Sequence, residues 1–332
     1  MRLVQLVHET LGRKVALVEE PNVRVLINFT SVYKIATSAI KAGGTLTKII
    51  LENRSDELLD YDSIYEGKSE WKLLPAFDHP TDVTKLMLAG TGLTHKASAE
   101  NRQKMHEAES ESELTDSMKM YLMGVEGGHP KEGEIGIQPE WFYKGNCSVL
   151  RAHNDDLTIP DYGDDGGEEP EIAGIYINDS NGSPWRIGFA TANEFSDHVM
   201  ERKNYLYLAP SKIRNCSLGP ELVITDDFSD IEGTVRIIRN GAVLWEKTIR
   251  TGEVNMSHSL NNLEYHHFKY ANHRIPDLGH IHFFGADAFS FGEKITLKNG
   301  DIMEIHWKNM GRPLKNRLTI SEKEEFTISH FR

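Results

Sequence analysis

Residues 166–174 carry three glutamates, Glu168, Glu169 and Glu171, and lead into an apolar stretch. In an extended chain, residues two apart project from the same face, so Glu169 and Glu171 would point together. Two carboxylates that close repel each other unless a cation lies between them, and oxygen-only ligation suits Mg²⁺, Mn²⁺ or Ca²⁺. The alternative is a solvated acidic loop, which this segment taken alone favours because Glu-x-Glu is a common pattern.

Three later segments carry further residues that suit chemistry. Residues 188–198 form a predicted strand that ends in Asn193-Glu194. Lys212 follows, shortly before a Gly219-Pro220 turn. The last segment carries two Gly-led motifs near the carboxyl end of the chain: Gly300-Asp301 and Gly311 with Asn316.

In this order and spacing, the segments resemble the fumarylacetoacetate hydrolase superfamily. That superfamily carries Glu-x-Glu, then Asn-Asp or a close variant, then Lys-Ser before a Gly-Pro turn, and finally Gly-Asp and Gly-x-x-x-Asn. The resemblance covers about residues 85–320. Five stretches are more similar to a bacterial branch related to 2-keto-3-deoxy-D-arabinonate dehydratases: residues 90–95, 138–145, 167–174, 193–198 and 255–258.

The resemblance implies an α+β fold with a mainly-β catalytic domain, a mixed β-roll that holds a metal on its strands. We place this domain at residues 81–332, after a small N-terminal α+β domain at residues 1–80. Carried over by position, the metal ligands are Glu169, Glu171 and Glu194, and the metal is Mg²⁺ or Mn²⁺. Most of the superfamily has Asp at the third position, and Asp197 is a nearby substitute if Glu194 does not reach.

The resemblance also implies roles around the metal. Lys212 matches the active-site lysine of the superfamily, and His198 stands where many members have Arg, so both are predicted to be catalytic. Lys144, Gly285 and Ala286 are predicted to bind substrate, although members often have Thr at the position of Ala286. Burial near a cation can lower the pKa of a lysine into a useful range. The alternative for Lys212 is a structural ion pair with one of the carboxylates.

One departure from the superfamily bears on the reaction. Its hydrolases carry a His and a Glu that activate water, and those positions here are Ser98 and Asn101. A general base able to take a proton from water is therefore missing there. Three residues nearby, His95, Glu100 and His106, are out of register, and each reads equally well as ordinary helix surface.

These features predict a metal-dependent dehydratase, a lyase that acts on a 2-keto-3-deoxy sugar acid such as 2-keto-3-deoxy-D-arabinonate. A metal ion can stabilise negative charge on the C2 oxygen of a 2-oxo acid, which makes the C3 proton removable. Because carbon–carbon hydrolysis uses the same activation, a hydrolase of a 2,4-dioxo acid is the first alternative. The second is a sugar-acid binding protein without catalysis.

Composition and charge limit the classes of molecule that the protein is expected to bind. The chain has 332 residues and a net charge of −13, and its one short basic cluster, residues 312–317, reads as a solvated turn. We therefore expect a small-molecule 2-oxo acid as partner and no nucleic acid. No apolar run approaches a membrane span, and the first residues do not read as a signal peptide. Two cysteines in this length read as free thiols, so we expect a cytoplasmic protein. The resemblance further implies a homodimer.

Local patterns indicate the elements that must position these side chains. Short strands are predicted near the start of the chain, and Ser31 is a plausible N-cap for a helix behind it. Residues 96–105 suit a helix, residues 110–116 an exposed helix or a mobile cover, and residues 124–136 a loop. Asn240-Gly241 between two apolar runs predicts a β-hairpin with a type I′ turn. Many short strands with few helices favour a mainly-β catalytic domain.

Overall fold

The structure is a computed structural model that describes residues 1–106 and 114–331. The side chains of Asn101 and His106 lie outside the described part, and so does most of the cover predicted at residues 110–116. None of the helices in the described ranges combines the length and the hydrophobicity that crossing a lipid bilayer requires.

The first part of the chain forms an antiparallel set of strands with three helices. Its elements are β1 (Arg2–His8), β2 (Gly12–Glu19), β3 (Asn22–Leu26), α1 (Val32–Ala42), α2 (Leu46–Glu52), β4 (Arg54–Asp60), α3 (Tyr61–Tyr65) and β5 (Lys72–Leu73). The predicted cap is confirmed, because Ser31 accepts a hydrogen bond from the Lys34 backbone N–H at 3.2 Å. That bond satisfies one of the free donors at the start of α1.

The rest of the chain is mostly strands, with short helices between them. Its elements are β6 (Leu86–Gly90), α4 (Lys96–His106), α5 (Asp116–Gly127), β7 (Phe142–Asn146), β8 (Leu150–Arg151), β9 (Asp156–Ile159), β10 (Pro170–Asn178), β11 (Pro184–Asn193), α6 (His198–Lys203), α7 (Leu208–Lys212), β12 (Cys216–Val223), β13 (Ile231–Arg239), β14 (Ala242–Thr251), α8 (Leu260–Phe268), β15 (Gly279–Phe283), β16 (Ile302–Trp307) and β17 (Leu314–Ile320).

Within the described residues the strands form two sheets. The large sheet has 12 strands in the order β4-β3-β2-β1-β12-β11-β10-β15-β6-β7, with β5 on β1 and β8 on β12. The small sheet has the order β14-β13-β16-β17-β9. Because β1 pairs with β12, the N-terminal strands continue the large sheet. The division into domains at residue 80 stays a prediction.

Strand β10 lies at the centre of the molecule, and all of its residues are buried. On one face, Ala173 and Ile175 pack in a core that α1 covers with Val32 and Ile35. On the other face, Ile172 packs in a second core that the small sheet supplies from β13 and β16. Side chains that alternate across a strand explain why β10 reads as a continuous apolar run after its glutamates. The site is therefore held on a strand covered on both sides.

Two predictions about connecting segments are corrected. The loop predicted from residue 124 begins later, because α5 continues to Gly127. Most of the basic cluster, from Leu314 on, belongs to strand β17 rather than to a solvated turn, and Lys315 lies opposite Glu304 of β16. The hairpin is confirmed: β13 and β14 meet at Asn240-Gly241, where both residues have positive φ.

Candidate metal centre and active site

Three glutamates meet where β10 begins and β11 ends. These strands are antiparallel, with Pro170 opposite Asn193, so residues just before one strand lie beside residues just after the other. Glu169, Glu171 and Glu194 each place a carboxylate oxygen within 4.8 Å of the others, and all three are buried. The structure thus brings together the three residues that the sequence predicts as metal ligands.

The neighbouring Glu168 points away from this triad. Its carboxylate accepts hydrogen bonds from the backbone N–H of Ser290 at 2.6 Å and from the Ser290 hydroxyl at 2.9 Å. The alternation of side chains along an extended chain explains the separation. Only the Glu-x-Glu pair, and not the third acidic residue, joins the triad.

The turn that presents Glu194 is fixed by the side chain of Asn193. Its Oδ1 accepts from the backbone N–H groups of Glu169 and Phe195, each at 3.2 Å. Phe195 has a φ of +29°, which few non-glycine residues adopt. An amide side chain at position 193 therefore holds both ends of the antiparallel pair at the site.

Two buried lysines contact the triad. The Lys212 Nζ, at the end of α7, donates at 2.6 Å to Glu169 Oε1, at 2.6 Å to Glu194 Oε2, and at 3.0 Å to the Ser196 hydroxyl. The Lys144 Nζ, on β7, donates to the Phe195 carbonyl at 2.5 Å and lies 2.7 Å from Glu194 Oε1. Both ammonium groups thus neutralise carboxylates rather than projecting into open space.

The three carboxylates differ in the direction in which their pKa values are shifted. Burial opposes ionisation of Glu169, but the Lys212 ammonium and His198 outweigh it and hold the pKa of Glu169 well below its usual range. Burial raises the pKa of Glu171 well above its usual range, and the charges of Glu194 and Glu169 raise it further. Burial also raises the pKa of Glu194, although Lys144 and Lys212 act against it. Glu171 is the member that most needs a cation.

The expected direction for Lys212 is corrected. Burial does lower the pKa of a lysine, but the charges of Glu169 and Glu194 outweigh it, so the pKa of Lys212 is raised. The side chain is held as an ammonium ion in this arrangement. The contacts of Lys212 are therefore those of an ion pair with Glu169 and Glu194. If Lys212 takes part in proton transfer, it must act as a proton donor.

His198 is stacked between two aromatic rings. It begins α6, its ring lies 4.7 Å from Phe289 at an angle of 8°, and Phe291 stacks at 5.2 Å. Its Nε2 lies 3.1 Å from Glu169 Oε1. A Cβ on Gly167 would lie 2.6 Å from His198 Nδ1, so only glycine fits there. This packing aims the imidazole at Glu169.

The predicted substrate-binding residues lie around the triad. The Gly285 N–H donates to Glu171 Oε2 at 2.6 Å, and Gly285 has a φ of +97°, a conformation that favours glycine. Ala286 follows it and is buried. Lys144 and Gly285 therefore both contact carboxylates of the triad, and their contact with a substrate stays a prediction.

Sequence reasoning missed a buried ion-pair cluster next to the site. Arg102 on α4 donates at 2.7 Å to Glu140 and lies 2.5 Å from Glu201 of α6. Burial lowers the pKa of Arg102, but Glu140 and Glu201 outweigh it and raise that pKa. These partners lie far apart in the sequence, and Arg102 sits in a polar helical stretch, so no local signal marks it.

Of the candidate bases near the hydrolase motif, the two with described side chains, His95 and Glu100, make their contacts away from the triad. His95 is buried, and its two ring nitrogens lie 2.9 Å from the Thr94 hydroxyl and 3.1 Å from the Thr251 hydroxyl. Burial lowers its pKa to about 3. Glu100 is half exposed and pairs with Lys96 along α4.

Asp197 was predicted as a substitute for Glu194, and the structure gives it another role. It caps α6 by accepting from the Met200 N–H at 2.8 Å, and it pairs with buried Arg214 at 2.5 Å. Glu194, not Asp197, belongs to the triad.

The fold resembles that of the fumarylacetoacetate hydrolase type, which confirms the predicted fold class. No model of a protein family matches the chain. Among solved structures, it is similar to 2-keto-3-deoxyarabinonate dehydratase, with a TM-score of 0.73 and 22% identity over 97% of this chain and 100% of the other.

Further comparisons agree with this resemblance. A 2-keto-3-deoxy-D-arabinonate dehydratase solved with magnesium and 2,5-dioxopentanoate has a TM-score of 0.72, with 21% identity over 97% of this chain and all of the other. A 5-carboxymethyl-2-hydroxymuconate delta-isomerase from Mycobacterium smegmatis has a TM-score of 0.58 and 16% identity, with the same coverage. A curated protein of Haloferax volcanii named a probable 2-keto-3-deoxyxylonate dehydratase is 26% identical over 187 residues. That match covers 55% of this chain and 61% of the relative.

Proposed function

We propose that this chain is a divalent-metal-dependent dehydratase that acts on a 2-keto-3-deoxy sugar acid. The observation that carries the proposal is the buried triad of Glu169, Glu171 and Glu194 with the Lys212 ammonium on two of its members. The names of the relatives and the magnesium in one of the solved structures support it.

The residues present fit a hard divalent cation. The triad offers only oxygen ligands, which suit Mg²⁺ or Mn²⁺. Its three carboxylates outnumber the two ammonium groups beside them, Lys144 and Lys212. Among the described residues, the buried Glu194 Oε1 accepts no hydrogen bond, although Lys144 lies near it. A buried carboxylate oxygen left in this state is suited to a metal ion.

When bound, the cation supplies Lewis-acid stabilisation of negative charge on the C2 oxygen of a 2-oxo acid. The chain's own residues do the rest. Lys212 holds a proton on Nζ that it can donate to the hydroxyl leaving C4, as a general acid. Glu169 and Glu194 keep that ammonium in place, and His198 orients Glu169. The C3 proton passes to Nζ as the hydroxyl leaves with the Nζ proton as water, so the lysine ends as an ammonium ion and one water is lost from C3 and C4.

We place the substrate carboxylate beside Gly285 and Ala286, at the edge of the triad. The missing Thr hydroxyl at position 286 then leaves backbone N–H groups to bind it. Lys144 completes the proposed substrate-binding set, next to Glu194, which it contacts.

The experiment that tests the proposal is product analysis by mass spectrometry after metal removal and readdition. The protein should convert a 2-keto-3-deoxypentonate to a product lighter by one water, with the carbon count unchanged. Chelation should abolish this activity, and Mg²⁺ or Mn²⁺ should restore it. Glu171→Gln should be inactive, whereas the matched variant Glu168→Gln, next to the triad but facing away, should keep turnover.

Other outcomes would contradict the proposal. Cleavage of a 2,4-dioxo acid to pyruvate and a shorter acid as the dominant reaction would make the chain a hydrolase. Metal-dependent binding of the sugar acid without turnover would make it a binding protein. Full activity in a metal-free preparation would show that the reaction needs no metal ion at the triad.

We further propose that the protein is a cytoplasmic homodimer. Both cysteines, Cys147 and Cys216, are free thiols, which suits a reducing compartment. The dimer rests on the resemblance to the superfamily. Sedimentation velocity should give twice the mass of one chain, and a monomer at micromolar concentration would contradict it.

A further inference from the structure

A chain of hydrogen bonds runs from β14 to the triad through residues that the proposed reaction does not use. Thr251 lies 3.1 Å from His95 Nε2, and His95 Nδ1 lies 2.9 Å from the Thr94 hydroxyl. Thr94 donates to the Phe284 carbonyl at 2.7 Å, and the Gly285 N–H donates to Glu171 Oε2 at 2.6 Å. The last two contacts lie on opposite sides of one peptide group.

The chemistry of the groups fixes the direction of every bond. The Phe284 carbonyl can only accept, so it takes the single hydroxyl proton of Thr94. The Thr94 oxygen must then accept from His95 Nδ1–H, which leaves Nε2 of the neutral imidazole as an acceptor for the Thr251 hydroxyl. The other acceptor near that hydroxyl, Met256 Sδ at 3.7 Å, is a weak one. All four hydrogen bonds therefore point toward Glu171. Bonds aligned in this way polarise and strengthen one another.

Packing holds this arrangement closely. Thr94 and His95 are both buried. A Cβ on Gly285 would lie 2.1 Å from the Thr94 hydroxyl, so the backbone of Gly285 approaches Thr94 as only a glycine can. The Thr94 carbonyl in turn accepts from the Ser257 N–H at 2.8 Å. Thr94 is thus fixed at its backbone carbonyl and at its hydroxyl, against the peptide it supports.

Glu171 depends on this peptide more than the other members of the triad do. Glu169 and Glu194 each have an ammonium partner within 2.7 Å. Within the described ranges, the hydrogen bond found on the Glu171 carboxylate is that from Gly285 N–H. A displaced Gly285 would therefore release one metal ligand and leave the other two in place.

We propose that Thr94 and His95 are positioning residues for Glu171, which orient the Gly285 N–H on its carboxylate and thereby set the affinity of the triad for a divalent cation. The inference rests on the proposed function only in that the triad binds such a cation. Both ring nitrogens of His95 are already hydrogen-bonded, so His95 can act as a positioning residue but not as a general base.

The test measures the affinity of the full-length protein for Mn²⁺ alone, by titration calorimetry. Thr94→Val keeps the shape and removes the hydroxyl, and it should weaken Mn²⁺ binding by about 10- to 100-fold, as outer partners of metal ligands do. Thr94→Ser keeps the hydroxyl and should bind Mn²⁺ within about threefold of the wild type.

Thr91→Val is the matched control. Thr91 is also a buried threonine, but its hydroxyl lies 2.7 Å from His282 Nε2 and not on the peptide that holds Glu171. It should lower thermal stability as Thr94→Val does and leave the Kd for Mn²⁺ unchanged. A purely structural role of Thr94 would make the two variants behave alike.

The inference is overturned if Thr94→Val binds Mn²⁺ like the wild type, or if Thr91→Val weakens binding as much. Should Thr94→Val not fold, Thr251→Val tests the same chain at its far end. A Kd weakened at least about threefold supports the inference, and an unchanged Kd overturns it. A wild-type protein that does not bind Mn²⁺ at all would instead overturn the proposed function, so the two failures are distinguishable.

Discussion

Two buried polar clusters occupy neighbouring strands of the large sheet and use opposite chemistry. The first is the charged triad at β10 and β11, with its two lysines. The second, here called the histidine cluster, lies on α8, β15 and the segment between them. It comprises four buried imidazoles: His267, His273, His280 and His282.

The histidine cluster is held largely by hydrogen bonds between neutral groups, although the buried His282 Nδ1 has no hydrogen-bond partner among the described residues. The Trp141 N–H, which can only donate, lies 3.2 Å from His267 Nδ1, so the proton of His267 is on Nε2. That proton points to His280 Nδ1 at 3.0 Å, and His282 stacks on His267 with ring centroids 4.5 Å apart. Burial lowers the pKa of His267, His280 and His282, and the neighbouring imidazoles lower it further.

The two clusters differ in the free energy that their burial costs. A cluster of neutral, mutually hydrogen-bonded groups can be buried at small net cost. A cluster of buried charges is expensive to desolvate and adds little stability even when paired. The charged cluster is therefore the one that a function must explain.

The largest expected effect comes from removing one charge of the first cluster. Lys212→Met should lower kcat by about 10²- to 10⁴-fold, as loss of an acid/base group does. It should also cost about 3–5 kcal/mol of stability, because it leaves buried Glu169 without an ammonium partner and Glu194 with that of Lys144 alone. Steady-state kinetics and urea unfolding measure the two effects.

Two further measurements make this prediction sharper. Mn²⁺ should raise the Tm of Lys212→Met more than that of the wild type, because the cation replaces the missing charge. Lys308→Met removes an exposed lysine that pairs with Glu232, and it should leave kcat unchanged. Near-normal kcat in Lys212→Met would show that Lys212 is only a charge partner.

The second prediction is that acid destabilises the protein through the histidine cluster. The pKa values of His280 and His282 are about 3 in the folded protein, against 6.5 for an ordinary histidine, so below pH 6.5 the unfolded chain binds more protons. Stability from the neutral cluster is complete above pH 6.5 and is lost as pH falls toward about 3. Between pH 6.5 and 5.5, each of His267, His280 and His282 should cost about 1 kcal/mol.

Urea unfolding at pH 7.5, 6.5 and 5.5 checks this prediction. His282→Asn removes one of the three shifted groups, so its stability should fall less steeply with acid than that of the wild type, by about one proton. The buried carboxylates titrate equally in both proteins, so the difference isolates His282. Identical slopes of unfolding free energy against pH in the two proteins would contradict the claim that His282 is held neutral in the folded state.

Sequence patterns predicted best what depends on neighbours along the chain. The alternation of Glu168, Glu169 and Glu171 follows from strand geometry, and the cap at Ser31 and the Asn240-Gly241 turn are equally local. The third ligand position, Glu194, came from the order of motifs shared with a superfamily. Its meeting with the Glu-x-Glu pair depends on the pairing of β10 with β11, which spacing alone does not fix.

Contacts between distant segments were beyond the sequence. The raised pKa of Lys212 depends on its distances to Glu169 and Glu194, whereas the expectation of a lowered pKa counted only burial and a nearby cation. Arg102 meets Glu140 and Glu201 only in the fold. The same holds for the hydrogen-bonded chain at Thr94, because its partners come from β14 and the segment after β15.

The smallest expected effect tests whether an ordinary surface residue next to the site has any part in the reaction. Glu100 is one of the bases that the sequence left open, and it pairs with Lys96 four residues earlier on α4. Exposed pairs at this spacing contribute about 0.3–0.5 kcal/mol. Glu100→Gln should therefore leave kcat for dehydration within about twofold of the wild type, since it removes no group from the triad. It should also leave any cleavage of a 2,4-dioxo acid unchanged, measured as pyruvate release under the same metal conditions. A drop in pyruvate release in Glu100→Gln alone would mean that the side chain reaches the site and supplies a base for water. The active site would then include a residue of α4 in addition to the charged cluster.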